Sequence, residues 1–175
     1  MNEINHLPFS NTYWVVPGKF LVGEHPSRDD IETTRKRVAE LIRFGVRSIV
    51  DLTADGDARI AYAPLLESEA FLYQTVVNRM NFPIDDFSAP SINQMAAILA
   101  WIDNEIAAGK LVYGHCLAGI GRTGMMVGCF LVNQGYTGEA ALERIQILRS
   151  DTPTWWQRSP ESQQQVDFIL NWEHS

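Results

Sequence analysis

The chain reads His115-Cys116-Leu117-Ala118-Gly119-Ile120-Gly121-Arg122-Thr123-Gly124 where an apolar segment gives way to a helical pattern. Residues 110–113 predict a strand before this segment, and residues 125–134 predict a helix after it. A tight loop between a strand and a helix can turn successive backbone N–H groups towards an anion, and the helix N-terminus adds partial positive charge. The segment therefore predicts an anion-binding loop with a cysteine at its base.

The residue types in this loop suit the chemistry of phosphate esters. A cysteine attacks phosphorus as a thiolate, and Cys116 is expected beside a helix N-terminus and a guanidinium, which both favour that form. Arg122 offers a planar fork of donors that matches two phosphate oxygens, a geometry that lysine lacks. The glycines let the backbone approach the anion closely. The predicted phosphate-binding residues are Leu117, Ala118, Gly119, Ile120, Gly121 and Arg122.

The segment resembles the signature H-C-x5-R-[ST] of the cysteine-dependent protein phosphatases, the protein-tyrosine-phosphatase-like superfamily. The length of the chain and its flanking motifs resemble the small dual-specificity branch, over about residues 17–168. The resemblance implies a cysteinyl-phosphate intermediate on Cys116 and a phosphate-binding role for Arg122. It also implies that Thr123 donates a hydroxyl hydrogen bond to the sulfur, and that His115 supports the loop without acting as a base.

The same chemistry needs a general acid that protonates the leaving oxygen and later activates water. Related phosphatases carry an aspartate on a mobile loop about thirty residues before the cysteine. In this chain Asp86 lies thirty residues before Cys116, and Asp85 lies thirty-one. Because Asp86-Phe87-x-x-Pro90 resembles the acid loop of the small dual-specificity phosphatases, Asp86 is the predicted acid and Asp85 is the alternative.

Three further features allow two interpretations each. Residues 159–169 resemble the pattern S-P-E-[ST]-x-x-Q-x-x-F-[VI], whose glutamine, Gln165, either positions water or holds a loop. Cys129 is either a small buried core residue or a redox partner of Cys116. Trp155 and Trp156 form either a rim against an aromatic substrate or the edge of the core.

Strand and helix patterns alternate along the chain. This alternation predicts an α/β fold, a single domain over residues 1–175 with a central, partly parallel sheet flanked by helices. The predicted strands are residues 13–16, 19–23, 47–52, 75–80 and 110–113. The predicted helices run from a cap among Ser27–Asp30 to Phe44, briefly within residues 58–72, from Ser91 to Gly109, over 125–134, over 138–148 after Thr137, and from about Pro160.

Composition and charge restrict the function classes. The 175 residues are 46% hydrophobic and 20% charged, as in ordinary globular proteins. A net charge of −7 argues against binding to nucleic acid or to an anionic membrane surface. The sequence shows no signal-peptide pattern, long apolar run or zinc-type spacing of Cys and His. We therefore expect a cytoplasmic protein with no metal, no cofactor, no nucleic-acid partner and no membrane contact.

The expected substrate is a phosphorylated protein or a small phosphomonoester. A chain of this length has little room for the elements that deepen the pocket of larger tyrosine phosphatases, so phosphotyrosine, phosphoserine and phosphothreonine should all fit. Phosphoinositide phosphatases with a similar loop carry lysines where this chain has Leu117 and Ile120. Two alternatives remain: a phosphatase of small phosphorylated molecules such as inositol phosphates, and a catalytically inactive phosphoprotein-binding module.

Overall fold

A five-stranded sheet forms the centre of the computed structural model, which describes residues 7–58 and 60–173. Its strands are β1 (Thr12–Val16), β2 (Phe20–Gly23), β3 (Val46–Asp51), β4 (Asn78–Asn81) and β5 (Leu111–His115). They stand in the order β1-β2-β5-β3-β4, in which β1 is antiparallel to β2 and the other three pairs are parallel. The predicted α/β fold with a partly parallel sheet is confirmed.

Helices cover both faces of this sheet. Because successive side chains of a strand point to opposite faces, β5 sends Val112 to one face and Tyr113 to the other. The helices are α1 (Ile31–Phe44), α2 (Ala63–Leu72), α3 (Ile92–Ala107), α4 (Gly121–Asn133), α5 (Gly138–Leu148) and α6 (Gln163–Leu170). Tyr113 packs in a core cluster with α1 and α2, and Val112 packs in a second cluster with α3, α4, α5 and α6. None of the helices in the described residues is both long and apolar enough to cross a membrane.

Several helix boundaries follow capping residues that are visible in the sequence. The Asp30 side chain accepts a hydrogen bond from the Thr33 N–H at 2.7 Å and begins α1, and Gly45, at a φ of 107°, ends it. Ser91 caps α3 and Thr137 caps α5 in the same way. Such caps satisfy N–H groups that have no partner within the helix. The predictions for these three helices are confirmed.

Two other elements begin later than the sequence pattern predicts. The strand expected over residues 75–80 is β4, and the helix expected from Pro160 is α6, which starts three residues later. The Ser162 hydroxyl accepts the Gln165 N–H at 3.2 Å, and the Gln165 side chain accepts the Ser162 N–H at 3.2 Å. This reciprocal pair is a capping box, which fixes the start of α6. The short helix expected within residues 58–72 is α2.

Helix α4 begins inside the predicted anion-binding loop. Its first residue is Gly121, earlier than the predicted start at residue 125, so Arg122 and Thr123 lie in its first turn. Residues 121–132 are all buried. At Gly128 there is no room for a side chain, because Ile169 of α6 packs directly against it. The helix that follows the loop is therefore fixed by the core around it.

Candidate active site

The phosphate loop, residues 116–122, leaves the carboxyl end of β5, the central strand of the sheet. Cys116, its first residue, is 3% exposed. Gly119 has a φ of 76° and lies so close to the end of β2 that a side chain would clash with its backbone. The His25 N–H donates to the Leu117 carbonyl at 2.9 Å and ties the loop to the segment after β2. The predicted loop between a strand and a helix is present.

The backbone N–H groups of residues 117–120 remain available to a ligand. They donate to no other residue in the described part of the chain. They precede the N-terminus of α4, where the helix dipole favours an anion. The loop therefore has the free donors that binding of a phosphate group requires.

Arg122 lies almost fully buried beside this loop, at 1% exposure. Its Nη1 donates to Asp57 Oδ2 at 2.5 Å and to the Ile84 carbonyl at 2.9 Å, and its Nη2 lies 3.2 Å from Asp86 Oδ1. Burial alone would lower the pKa of Arg122, but the hydrogen bond to Asp57 and the surrounding negative charges raise it. Its Nε has no partner among the described residues. One donor of the guanidinium is therefore free.

Asp57 is the site residue that the sequence analysis did not identify. It belongs to a polar turn after β3, where an aspartate is unremarkable in sequence. Its Oδ2 accepts hydrogen bonds from Arg122 and from the Ala54 N–H, at 3.0 Å from the latter. The turn therefore holds a carboxylate that fixes one end of the guanidinium.

Replacement of Asp57 by Asn should lower kcat/KM, because Arg122 would lose the charged partner that orients it. We expect a loss of roughly 10- to 100-fold, which corresponds to about 1.5–3 kcal/mol for a charge-assisted hydrogen bond. Asp55 lies exposed in the same turn and provides the matched control. Steady-state kinetics on one phosphomonoester should show the loss for Asp57→Asn and not for Asp55→Asn. Equal behaviour of the two variants would contradict an orienting role.

The two candidate acids occupy different positions on the acid loop, residues 82–90, between β4 and α3. Asp86 reaches Arg122 with its Oδ1, which also accepts the Phe87 N–H at 3.1 Å. The Asp85 side chain is exposed, and its backbone carbonyl accepts the Ser88 N–H at 3.1 Å. Of the two carboxylates, Asp86 is the one that the fold brings to the phosphate loop.

Thr123 differs from the expectation. Its hydroxyl is buried and has no hydrogen-bond partner among the described residues, so the implied hydrogen bond to the Cys116 sulfur is not formed. Thr123 lies buried in the first turn of α4. Its hydroxyl is therefore a buried donor without an acceptor among the described residues.

His115 belongs to a buried network behind the cysteine. Its Nδ1 lies 2.9 Å from the Cys116 carbonyl, and its Nε2 lies 2.8 Å from the Tyr62 hydroxyl. Arg79 binds Asp51 at 2.7 Å, and the Tyr62 hydroxyl lies 3.4 Å from the same carboxylate oxygen. Burial lowers the pKa of His115, which keeps the ring neutral. A neutral ring with Nδ1–H donating to the carbonyl fits the expected supporting role.

The same network contains a group of possible metal ligands. Ligand atoms of His25, Asp51 and His115 lie within 4.8 Å of one another. However, the Arg79 guanidinium already neutralises Asp51, and His25 Nδ1 accepts the Ser27 N–H at 3.0 Å. Burial, followed by the nearby His115, lowers the pKa of His25 to about 3. These contacts describe a hydrogen-bonded cluster in which the Arg79 guanidinium already supplies the positive charge, rather than a binding site for a metal ion.

Gln165 is fully buried at the start of α6. Its Oε1 accepts the N–H groups of Glu161 and Ser162, at 3.2 Å each, and its Nε2 donates to the Ser88 carbonyl at 3.3 Å. Ser88 belongs to the acid loop. Of the two roles expected for Gln165, these contacts favour the holding of a loop.

Of the remaining candidate residues, Cys129 lies in the core, and Trp155 and Trp156 lie on the surface. Cys129 is fully buried in the same core cluster as Cys116, and burial raises the pKa of its thiol. Both cysteines are free. These facts favour the core interpretation of Cys129 over the redox one. Trp155 and Trp156 are 61% and 69% exposed, which argues against the core-edge interpretation, and a role as a rim against a substrate stays a prediction.

Comparisons with known proteins identify the family of this chain. The family described as "Tc-R-P: Polymorphic toxin system, DSP-PTPase phosphatase" matches residues 24–136, more than half of the chain. The chain therefore belongs to this family of cysteine-dependent phosphatases, and the resemblance seen in the loop is confirmed. The crystal structure of Tk-PTP in the active form superposes with a TM-score of 0.73 at 24% identity, over 91% of this chain and 93% of that one.

Two curated relatives are longer proteins. Protein 067L of Invertebrate iridescent virus 3, whose name assigns it to the tyrosine phosphatases, is 26% identical over 165 residues. The match covers 88% of this chain and 62% of that protein. Phosphatidylglycerophosphate phosphatase PTPMT2 of Arabidopsis thaliana is 28% identical over 116 residues, which cover 66% of this chain and 48% of that protein. The chain thus spans less than two thirds of either relative.

Proposed function

We propose that this chain hydrolyses phosphomonoesters through a cysteinyl-phosphate intermediate, with phosphorylated proteins as its main substrates. The observation that carries the proposal is the free Nε of buried Arg122, beside a loop of unpaired N–H groups that starts at Cys116. Planar guanidinium donors and free N–H groups together suit a tetrahedral phosphate group. The family to which the chain belongs supports the same reaction class.

The proposed reaction has two steps. The Cys116 thiolate attacks phosphorus, the P–O bond to the leaving group breaks, and Asp86 gives its proton to the departing oxygen. In the second step Asp86 takes a proton from water, the water oxygen bonds to phosphorus, and the S–P bond breaks to regenerate the thiolate. Arg122 binds the equatorial oxygens throughout. The unpaired Thr123 hydroxyl supplies a donor for the negative charge that returns to the sulfur.

Charge around the loop favours substrates with a single phosphate group. Asp57 and Asp86 both contact Arg122, and the Glu161 carboxylate lies against Gly121. Carboxylates at the rim repel further phosphates of a polyanionic headgroup. The alternative, a small phosphorylated molecule or lipid, draws support from the similarity to phosphatidylglycerophosphate phosphatase PTPMT2.

The proposal includes the setting of the enzyme. A catalytic thiol needs a reducing compartment, for which we propose the cytoplasm. A single catalytic domain over residues 1–175 acts without a metal or cofactor and without a nucleic-acid or membrane partner. A catalytically inactive phosphoprotein-binding module is the less favoured reading, because Cys116, Arg122 and Asp86 are all retained.

The proposal is tested by assaying the purified chain against a panel of substrates. Phosphotyrosine and phosphoserine peptides, an inositol polyphosphate and phosphatidylglycerophosphate represent the competing classes. We expect phosphate release from the peptides, unaffected by a metal chelator. Higher kcat/KM on the inositol polyphosphate or the lipid would move the function to the alternative. Phosphopeptide binding without release of phosphate would identify a binding module.

The choice of acid is tested by two single substitutions. Asp86→Asn should cost about 10²–10⁴-fold in rate, as expected for loss of a general acid. The cost should be larger on phosphoserine, whose alkoxide leaves poorly, than on nitrophenyl phosphate, whose leaving oxygen departs readily as an anion. The alkaline limb of the pH–rate profile should also disappear.

Asp85→Asn is the matched control and should change neither property. If the two variants exchange their behaviour, Asp85 is the acid. If neither variant shows a dependence on the leaving group, the acid lies outside this loop.

A further inference from the structure

The acid loop needs external support to keep Asp86 in place. The Asp86 side chain is 47% exposed and has one contact to the phosphate loop, the 3.2 Å approach to Arg122. The next residue, Phe87, is 57% exposed and has a φ of 60°, a conformation that residues with a side chain rarely adopt. A loop with an exposed acid and a disfavoured backbone does not hold this shape by itself.

Helix α6 supplies this support directly after the acid. The Ser162 hydroxyl donates to the Phe87 carbonyl at 2.6 Å, and Gln165 Nε2 donates to the Ser88 carbonyl at 3.3 Å. The two carbonyls that follow Asp86 are thus both bound by side chains of one helical turn. On the other side, Gln94 of α3 donates to the Pro83 carbonyl at 3.0 Å and fixes the start of the loop.

The orientation of the Gln165 amide is determined by its surroundings. Its Oε1 accepts two backbone N–H groups, from Glu161 and Ser162. A flipped amide would place NH2 against these donors and lose both hydrogen bonds. The NH2 group must therefore face the acid loop, where the Ser88 carbonyl accepts from it. The capping box of α6 and the contact to the acid loop are parts of one arrangement.

The segment that contains Ser162 and Gln165, residues 159–165, also contacts the phosphate loop. The Ser159 hydroxyl donates to the Ile120 carbonyl at 2.7 Å, and a side chain at Gly121 would meet the Glu161 carboxylate and Gln165. One short segment therefore contacts both the phosphate loop and the acid loop.

We propose that Ser162 and Gln165 are positioning residues that hold Asp86 over the phosphate site. This inference rests on the proposed function, because it assigns the two residues to the proton-transfer part of that reaction. Neither residue needs to touch the substrate. Their hydrogen bonds to the Phe87 and Ser88 carbonyls keep the acid in the protonating position, and their loss would reduce proton transfer while leaving phosphate binding intact.

The experiment compares Ser162→Ala and Gln165→Glu with the unchanged chain on two substrates. Gln165→Glu keeps an acceptor for the helix N-terminus and removes the donor to Ser88. We expect both variants to lose about 10- to 100-fold in kcat/KM on a phosphoserine peptide, as for a displaced catalytic group. On nitrophenyl phosphate, which needs the proton least, the loss should stay within about twofold. Ser162→Thr, which keeps the hydroxyl, should restore the phosphoserine activity.

Thr137→Ala is the matched control for helix capping. Thr137 caps α5 as Ser162 caps α6, with a hydroxyl 3.2 Å from the Ala140 N–H, and in the described part of the chain it makes no hydrogen bond to the acid loop. Its loss should lower thermal stability without changing the ratio of the two kcat/KM values. If Thr137→Ala and Ser162→Ala behave alike in that ratio, the effect is one of helix stability and the inference is overturned.

A double substitution separates this inference from the proposed function. In an Asp86→Asn background, Ser162→Ala should cause no further loss on phosphoserine, because the acid that it positions is already absent. Additive losses would overturn the positioning role while the mechanism stands. If the unchanged chain releases no phosphate, the proposed function is wrong. If Asp86→Asn has no leaving-group dependence, the assignment of Asp86 as the acid is wrong.

Discussion

Replacement of Cys116 by serine is expected to abolish measurable turnover of every phosphomonoester. A serine hydroxyl at this position stays protonated, so it is a far weaker nucleophile than a thiolate. Loss of the nucleophile in a covalent hydrolase costs on the order of 10⁶ in kcat. The free N–H groups of residues 117–120 and Arg122 Nε are unchanged by this substitution.

The variant should therefore still bind anions. Inorganic phosphate or vanadate should raise the melting temperature of Cys116→Ser as it does that of the unchanged chain, because a ligand that binds the folded state stabilises it. Cys129→Ala is the control, since Cys129 is the other free cysteine and is buried within α4. It should retain its turnover. Activity of Cys116→Ser near that of the unchanged chain would refute the cysteinyl-phosphate mechanism.

Arg122→Lys should also produce a large loss of activity. Lysine keeps the positive charge but has a single donor group, so it cannot contact Asp57, the Ile84 carbonyl and a phosphate oxygen together. Removal of one well-placed donor in an active site costs about 10²–10³-fold in kcat. We expect at least this loss in kcat, together with weaker protection by phosphate in a thermal melt.

Arg149→Lys is the matched control, because it replaces an arginine that is as deeply buried as Arg122. Arg149 is also 1% exposed, but its guanidinium donates to the Gln157 and Thr154 carbonyls. This substitution should lower the melting temperature and leave kcat per folded molecule nearly unchanged. If both variants lose kcat equally, Arg122 has a structural role and the phosphate-binding assignment is wrong.

The sequence predicts those parts of the site whose chemistry is local. The loop from Cys116 to Arg122 can be predicted from the sequence because one short segment contains the proposed nucleophile, the glycines and the guanidinium. Helix caps such as Asp30 and Ser91 can be predicted for the same reason, since their partners lie three residues away. The central, partly parallel sheet follows from the alternation of strands and helices.

Other parts of the site depend on contacts that span the chain. Asp57 and Arg122 are 65 residues apart, and Tyr62 and His115 are 53 residues apart. No local pattern distinguishes Asp57 from the other aspartate of its turn, because its role exists only once the turn meets α4. The choice between two roles for Gln165 also needed tertiary structure, since it depends on which loop faces its amide.

The near-complete burial of α4 has a consequence for how this protein can change over evolutionary time. Residues 121–132 serve both the stability of the core and the geometry of the anion site, so selection acts on them for two properties at once. A substitution at Gly128 that shifts α6 would disturb catalysis from a distance. New substrate preferences can therefore arise with least harm at an exposed position of the phosphate loop, such as Leu117, whose side chain belongs to neither core cluster.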